Sequence, residues 1–287
     1  MPLEDEFGDI ILKARAGLAL SADEVARKAG ITCTQLTQLE ALVRKPEGGE
    51  IGSFAEILHL NPERLADIAF DRYAPAPVPE SLSNRVTQVT GYIGEYQVKG
   101  HLVTDPATGE TAMVDTAYNP EGMIEVIEKN GWFLKYILLT HTHHDHIGGI
   151  GKVLESFPVP VVVSPEEKSQ LGADFDPSRD LTPKEGETLS LGKMTFRIIR
   201  TPGHTPGGTG FLFEKESPPF AFFGDAIFAG SLGRAYSPNS YPELVRAIRE
   251  KVLTLSPETV LFPGHGPATT AGEEQAHNPF FNAGASG

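Results

Sequence analysis

The chain has 287 residues, 40% of them hydrophobic and 22% charged, with a formal net charge of −14. That length accommodates one large domain or two smaller ones, with enough apolar residues for a core, which excludes a disordered chain as the default. The acidic balance disfavours broad nucleic-acid affinity, which needs clustered Lys and Arg. No apolar run is long enough to cross a bilayer, so no membrane partner is expected. The start, "MPLEDEFGDI", is acidic and lacks an apolar leader. Cys33 is the single cysteine, so no intrachain disulfide forms, which fits a cytoplasmic location.

In chain order, residues 1–75 read as short helices. Ser21 with Glu24 three positions on gives a capping box before "EVARKAG", and Gly30 stops that helix. Thr32 starts a second, "CTQLTQLEALV", and further helices are expected over "IGSFAEILHL" and "PERLADIAF". The stretch "YAPAPVPESLSN", with Pro75, Pro77 and Pro79, reads as a linker, assigned to 76–84. From 85 to 287 the pattern changes to apolar strands separated by Gly and Pro. Strands are expected at 86–93, 96–104, 111–115, 136–140, 159–164, 194–200, 209–214, 220–223 and 260–262, and helices at 120–130, 148–156 and 242–255. This is an α/β domain with room for two sheets and outer helices. The final "NAGASG" reads as a loose tail.

The chemistry concentrates in "KYILLTHTHHDHIGG", where His141, His143, His144, Asp145 and His146 follow an apolar run. In extended chain His141 and His143 share one side. The backbone must then turn for Asp145 and His146 to face the same point. Imidazole and carboxylate together suit zinc, iron or manganese. Three other strand ends add to the cluster: His204 in "RTPGHTPGG", His265 in "VLFPGHGP", and Asp225 after the very apolar "FAFFG". A carboxylate there is costly unless paired or metal-bound. His277 has no partner at ligand spacing and is not expected to be one.

Taken in order, "THTHHDH", "TPGHTPG", "GD" and "PGHG" resemble the metallo-β-lactamase superfamily over residues 85–281. The resemblance implies an αββα sandwich with a metal site at one edge, preceded here by a small all-α unit. Carried over residue by residue, it implies two divalent ions, zinc or iron. The first would be held by His141, His143 and His204, the second by Asp145, His146 and His265, with Asp225 between them. His144 takes the variable slot, as a neighbour of the site. Two such ions lower the pKa of a shared water and polarise a carbonyl. Asp145 would orient the nucleophile.

"GDAIFAGSLGR" and "PGHGPATTAGEEQAHNPFF" resemble the glyoxalase II-like branch, related to hydroxyacylglutathione hydrolases. The expected activity is therefore hydrolysis of a small thioester or activated ester, since a thiolate leaves without an acid. Where that family carries an acidic residue after "GR", this chain has "AYSPNSY". Arg234 is a candidate fork for a substrate carboxylate and Tyr236 a donor to its carbonyl. A second reading is a persulfide dioxygenase, whose single iron would use His141, His204 and Asp225, though "PGHG" stands where that family carries an acidic-aromatic pair after the His.

"LALSADEVARKAGITCTQLTQLEALVRKP" resembles the Cro/repressor type of helix-turn-helix over residues 8–70, through Ser21, Ala26, Gly30, Ile31, Leu36, Glu40, Lys45 and Pro46. That allows a regulator whose metal domain senses a metabolite. Against it, residues 1–75 hold 8 Lys and Arg and 13 Asp and Glu. An acidic unit disfavours DNA and favours packing, homodimerisation or another protein partner.

Overall fold

The computed structural model describes residues 2–281, and the "NAGASG" tail lies outside them. Five helices come first: α1 (Phe7–Gly17), α2 (Ala22–Ala29), α3 (Cys33–Glu40), α4 (Gly48–Leu58) and α5 (Pro62–Ala69). Ser21 caps α2 by accepting from the Glu24 amide and Thr32 caps α3, as the sequence predicts; the full capping box is found at Thr32 and Gln35 rather than at Ser21 and Glu24. Helix α1 was not expected, although Phe7, Ile10, Ile11 and Ala14 lie at helical spacing and are all buried.

An αββα sandwich follows. The first sheet has the order β1 (Val86–Ile93), β2 (Tyr96–Thr104), β3 (Glu110–Val114), β4 (Phe133–Leu138) and β5 (Val161–Val162), with α6 (Pro120–Asn130) between β3 and β4. A single turn, α7 (His144–Ile147), and α8 (Ile150–Ser156) come between β4 and β5. The second sheet begins with β6 (Thr188–Leu191), β7 (Met194–Arg200), β8 (Thr209–Phe213) and β9 (Phe220–Gly224). A small hairpin then pairs β10 (Ile227–Phe228) with β11 (Ser231–Leu232). Helix α9 (Ser240–Ala247) runs on as a π turn over Ile248–Val252. The chain then adds β12 (Val260–Pro263) and β13 (Thr269–Thr270) to the second sheet and closes with α10 (Ala271–His277).

The alternation of side chains along the strands explains the layers. Phe196, Ile198, Phe211, Phe213, Phe220 and Phe222 point between the sheets, against Ala112, Val114 and Leu138. Their neighbours Ile199, Leu212, Ala221 and Phe223 point outward. Being buried on both faces, β8 and β9 are apolar without interruption. The outer face of the first sheet packs on α6 and α8 through Met123, Ile127, Ile150 and Val153.

The outer face of the second sheet is shared between α9 and the five N-terminal helices. Ile10, Ile11, Leu36, Phe54 and Leu65 belong to one apolar cluster with Phe223, Leu244, Ile248, Phe280 and Phe281. Polar contacts reinforce this junction. Arg64 donates to the Asn278 and Phe281 carbonyls, Asn61 N–H to the Pro279 carbonyl, and Tyr73 stacks on His277 at 4.6 Å. Beneath lies Glu274, fully buried, accepting from Thr269 Oγ1, Asn278 Nδ2, the Gly230 amide and Tyr73 Oη.

Boundaries differ where local pattern was a poor guide. The expected strand 136–140 is shifted to Phe133–Leu138, and 159–164 shrinks to two paired residues. The expected helix 148–156 starts at Ile150 as α8, and the single turn α7 before it, at His144–Ile147, was not anticipated. Strands β6, β10, β11 and β13 and helix α10 were not anticipated. Most of these strands hold two residues, too few to show a period of two.

Burial pushes the Glu274 carboxyl from 4.5 up to about 7. Such a group takes up a proton on folding between those values. Its cost to stability is therefore full above pH 7 and fades as pH falls towards 4.5. The difference in urea unfolding free energy between wild type and Glu274→Gln is expected to shift by roughly 3 kcal/mol between pH 8 and pH 5. A difference independent of pH would show that Glu274 folds with its ordinary titration.

Candidate metal centre

All seven candidate ligands stand at the C-terminal ends of strands. His141 and His143 follow β4, His204 follows β7, Asp225 follows β9 and His265 follows β12. Strands β9 and β12 are parallel, and β7 runs with them because β8 is antiparallel to both β7 and β9. Their ends therefore meet at one edge of the sandwich.

Past β4 the chain stays extended through His143, so His141 and His143 face one way and Thr142 the other. Thr142 donates through its amide and hydroxyl to Glu167, whose other oxygen accepts from Gly207 N–H at 2.9 Å. That buried carboxylate thus fastens the "THTHHDH" loop to the "TPGHTPGG" loop. The turn α7 then brings Asp145 and His146 round to the same side.

Two groups of donor atoms result, one from His141, His143 and His204 and one from Asp145, His146, Asp225 and His265, each within a 4.8 Å span. In the first, His143 Nδ1 lies 3.1 Å from His141 Nε2 and 3.0 Å from His204 Nε2. The far nitrogens have their own acceptors: His141 Nδ1 is 3.1 Å from Thr140 Oγ1, and His204 Nδ1 is 2.8 Å from the Arg234 carbonyl oxygen. Both Nε2 atoms therefore present lone pairs to His143.

In the second group, His265 Nδ1 donates to the Gln97 carbonyl at 2.6 Å, and His146 Nδ1 to Asp115 Oδ2 at 2.8 Å. Their Nε2 atoms face carboxylates. His265 Nε2 is 3.2 Å from Asp145 and 3.5 Å from Asp225 Oδ2, and His146 Nε2 is 3.2 Å from Asp225 Oδ1. Asp225 Oδ2 is also 3.6 Å from His204 Nε2, so one carboxylate lies between the two groups.

The electrostatics follow from this crowding. Burial holds His141 well below the ordinary imidazole range, and His204 at about 4. Burial also opposes charge on His146 and His265, but Asp225 outweighs it, with Asp115 at His146 and Asp145 at His265. His146 is raised well above the ordinary value and His265 to about 10. Asp225 is driven well below the usual carboxylate range, since His146 and His265 overcome its burial. His146 Nε2 and Asp225 Oδ1 are buried with no hydrogen-bond partner. Converging lone pairs, a carboxylate between them and two orphaned buried atoms fit divalent cations, which would satisfy all of these atoms together. Gly264 keeps this space open: a Cβ there would fall 2.4 Å from Asp225 Oδ1 and 2.5 Å from His146 Cε1.

Both candidate substrate residues are at the mouth. Tyr236 is 65% exposed, with its ring 5.9 Å from that of His143 and 5.8 Å from that of His204. The exposed Arg234 side chain lies over the Tyr236 ring, 5.7 Å from its centroid. His144 points away from both donor groups, against the Tyr118 ring at 5.0 Å.

Sequence reasoning missed Asp115, Thr140 and Glu167. Asp115 accepts from Thr140 N–H at 2.9 Å, from Thr140 Oγ1 at 2.7 Å and from His146. It sits at φ 55° in a turn where Ala117 and Tyr118 also have positive φ, strain that the surrounding contacts maintain. Its signal was present: "TAMVD" ends an apolar strand in Asp just as "FAFFGD" does. Glu167 had no such signal, because its partners are distant in sequence.

Residues 93–265 match the family model described as the metallo-beta-lactamase superfamily, well over half of the chain. The chain belongs to the metallo-beta-lactamase superfamily. The hydroxyacylglutathione hydrolase GloC of Haemophilus influenzae is 36% identical over 188 residues, covering 60% of this chain and 87% of that protein. Among solved structures, TTHA1623 in a di-iron-bound form is 32% identical at a TM-score of 0.55, covering 68% of this chain and all of its own. BLEG-1, a B3 metallo-beta-lactamase, is 29% identical at a TM-score of 0.58, covering 69% of this chain and all of its own. Helices α1–α5 lie before the first residue matched to the superfamily. No helix among the described residues is long and apolar enough to cross a membrane.

Replacing Asp115 by Ala would leave the Thr140 and His146 donors buried without an acceptor. The expected loss of stability is roughly 3 kcal/mol in a urea melt of the metal-free chain. An unchanged midpoint would remove Asp115 from the account of how His146 is held.

Proposed function

We propose that this protein is a metal-dependent hydrolase of small thioesters, of the glyoxalase II-like type. The observation that carries the reading is Asp225, a buried carboxylate held between two sets of donor atoms, whose Oδ1 faces His146 Nε2 at 3.2 Å without a hydrogen bond of good geometry. In this reading His141, His143 and His204 hold one divalent ion, zinc or iron, and Asp145, His146 and His265 a second, with Asp225 reaching both. When bound, such ions supply an activated water and polarise a carbonyl. The likeness to the Haemophilus hydrolase supports the thioester class.

The chain's own residues then have separable tasks. The Asp145 carboxylate, 3.2 Å from His265 Nε2, accepts from and orients the attacking water. The Tyr236 phenol is protonated at neutral pH and donates to a carbonyl oxygen entering beside His143 and His204. Arg234 has no carboxylate within ion-pair distance among the described residues and receives a carboxylate on the substrate. No further acid is needed, because a thiolate departs unprotonated. The helical unit acts as part of the enzyme's frame, in keeping with the core it shares with the second sheet.

The wild-type chain is expected to purify with metal and to cleave a model thioester. Asp225→Asn should bind less metal by elemental analysis and lose at least ~100-fold in kcat/KM. Oxygen consumption with glutathione persulfide and no thioester cleavage would sink the hydrolase reading in favour of a dioxygenase. Separately, Arg234→Ala should raise KM about 10-fold for a thioester carrying a carboxylate and leave a neutral one unaffected. Equal effects on both would assign Arg234 to structure alone.

A further inference from the structure

The hairpin β10–β11 joins two elements of the proposed centre. It begins directly after Asp225 and leads into Arg234, whose carbonyl accepts from His204 Nδ1 at 2.8 Å. Gly233 passes so close that a Cβ would fall 1.6 Å from the Asp225 carbonyl oxygen and 3.2 Å from His204 Nδ1. Any movement of the hairpin therefore moves the acceptor that fixes the His204 ring.

The hairpin's own ladder is slight: Ile227 pairs with Leu232 and Phe228 with Ser231. Its position is imposed from outside. On one side Glu274 accepts from Gly230 N–H, and Asn278 Nδ2 donates to the Ser231 carbonyl at 2.9 Å. On the other side the contact comes from α1. Lys13 Nζ donates to the Leu232 carbonyl at 2.9 Å and lies 4.8 Å from the centroid of the Phe228 ring, which itself meets the His265 ring at 6.0 Å. Asp5 pairs with the same ammonium at 2.5 Å.

We propose that Lys13 is a positioning residue for the metal centre: from the helical unit it clamps the Leu232 carbonyl and so sets the Arg234 carbonyl that orients His204. The inference rests on the reading that His204 and Asp225 hold metal. It makes the helical unit a wall of the active site rather than a tethered appendage. A purely structural Lys13 would act only through its ion pair with Asp5, and the two roles separate because the bond to the Leu232 carbonyl is made by Lys13 itself.

The test uses the full chain loaded with zinc. Release of zinc to an excess of chromophoric chelator is followed for wild type, Lys13→Met, Lys13→Arg and Asp5→Asn, beside their metal-free unfolding midpoints. Lys13→Met keeps the stem over Phe228 and loses the donor, and should release zinc ~10-fold faster. Lys13→Arg should restore much of the wild-type rate. Asp5→Asn should lower the midpoint yet release zinc within about twofold of wild type, because the bond to Leu232 survives. Release from Lys13→Met at the wild-type rate would overturn the proposal, as would Asp5→Asn releasing zinc as fast as Lys13→Met. Should Lys13→Met fail to fold, Lys13→Leu, which also lacks a donor, carries the same comparison. A wild type that takes up no zinc overturns the metal reading itself, a result distinct from either of these.

Discussion

Everything at this edge of the sandwich answers to one electrostatic constraint: Asp225 is held ionised although it is almost wholly buried. A carboxylate at the end of the strand "FAFFG" costs several kcal/mol unless compensated. His146, His265 and His204 crowd round it at 3.2 to 3.6 Å. Each of those rings is in turn oriented from behind, by Asp115, by the Gln97 carbonyl and by the Arg234 carbonyl. The outer partners come from β2, from the turn after β3 and from the hairpin after β9. A single buried charge thus dictates how loops from both sheets must meet.

How much of this was legible depended on sequence distance. The candidate donors were legible because most follow an apolar strand in a Gly- or Pro-rich motif, because "THTHHDH" places His141 and His143 on one side, and through the motifs of the family resemblance. Asp115 carried the same mark as Asp225, an Asp closing an apolar strand, but lies outside the motifs that carry the family resemblance. Glu167 and Lys13 were invisible: Glu167 acts on Thr142 and Gly207, and Lys13 on Leu232, contacts that only the tertiary arrangement creates. The layered fold was legible through strand alternation, whereas α1 showed its helical spacing plainly behind an acidic start. Two-residue strands such as β10 and β13 cannot be read from pattern, since their pairing is imposed by what surrounds them.

The N-terminal helices show how a chain can add a unit without adding a separate core. The outer face of the second sheet must be covered, because Ile199, Leu212, Ala221 and Phe223 point out of it. Helix α9 covers part, and α1 and its neighbours the rest. Acids such as Glu47, Glu56 and Glu63 face solvent, while Leu36 and Leu39 of α3 turn inward. The helical unit is consequently bound by the same apolar contacts that hold any outer layer of a sandwich.

That arrangement has a consequence for synthesis. Helices α1 to α5 leave the ribosome first, yet Phe280 and Phe281, which complete their apolar cluster, are the last residues described. Between the two lie more than 200 residues that must be made and folded. At ordinary elongation rates of roughly 5–20 residues per second, the first helices wait on the order of 10 seconds or more with an uncovered face. The earliest part of the chain is thus among the last to be finished, and its exposed interval is a natural point for chaperone capture.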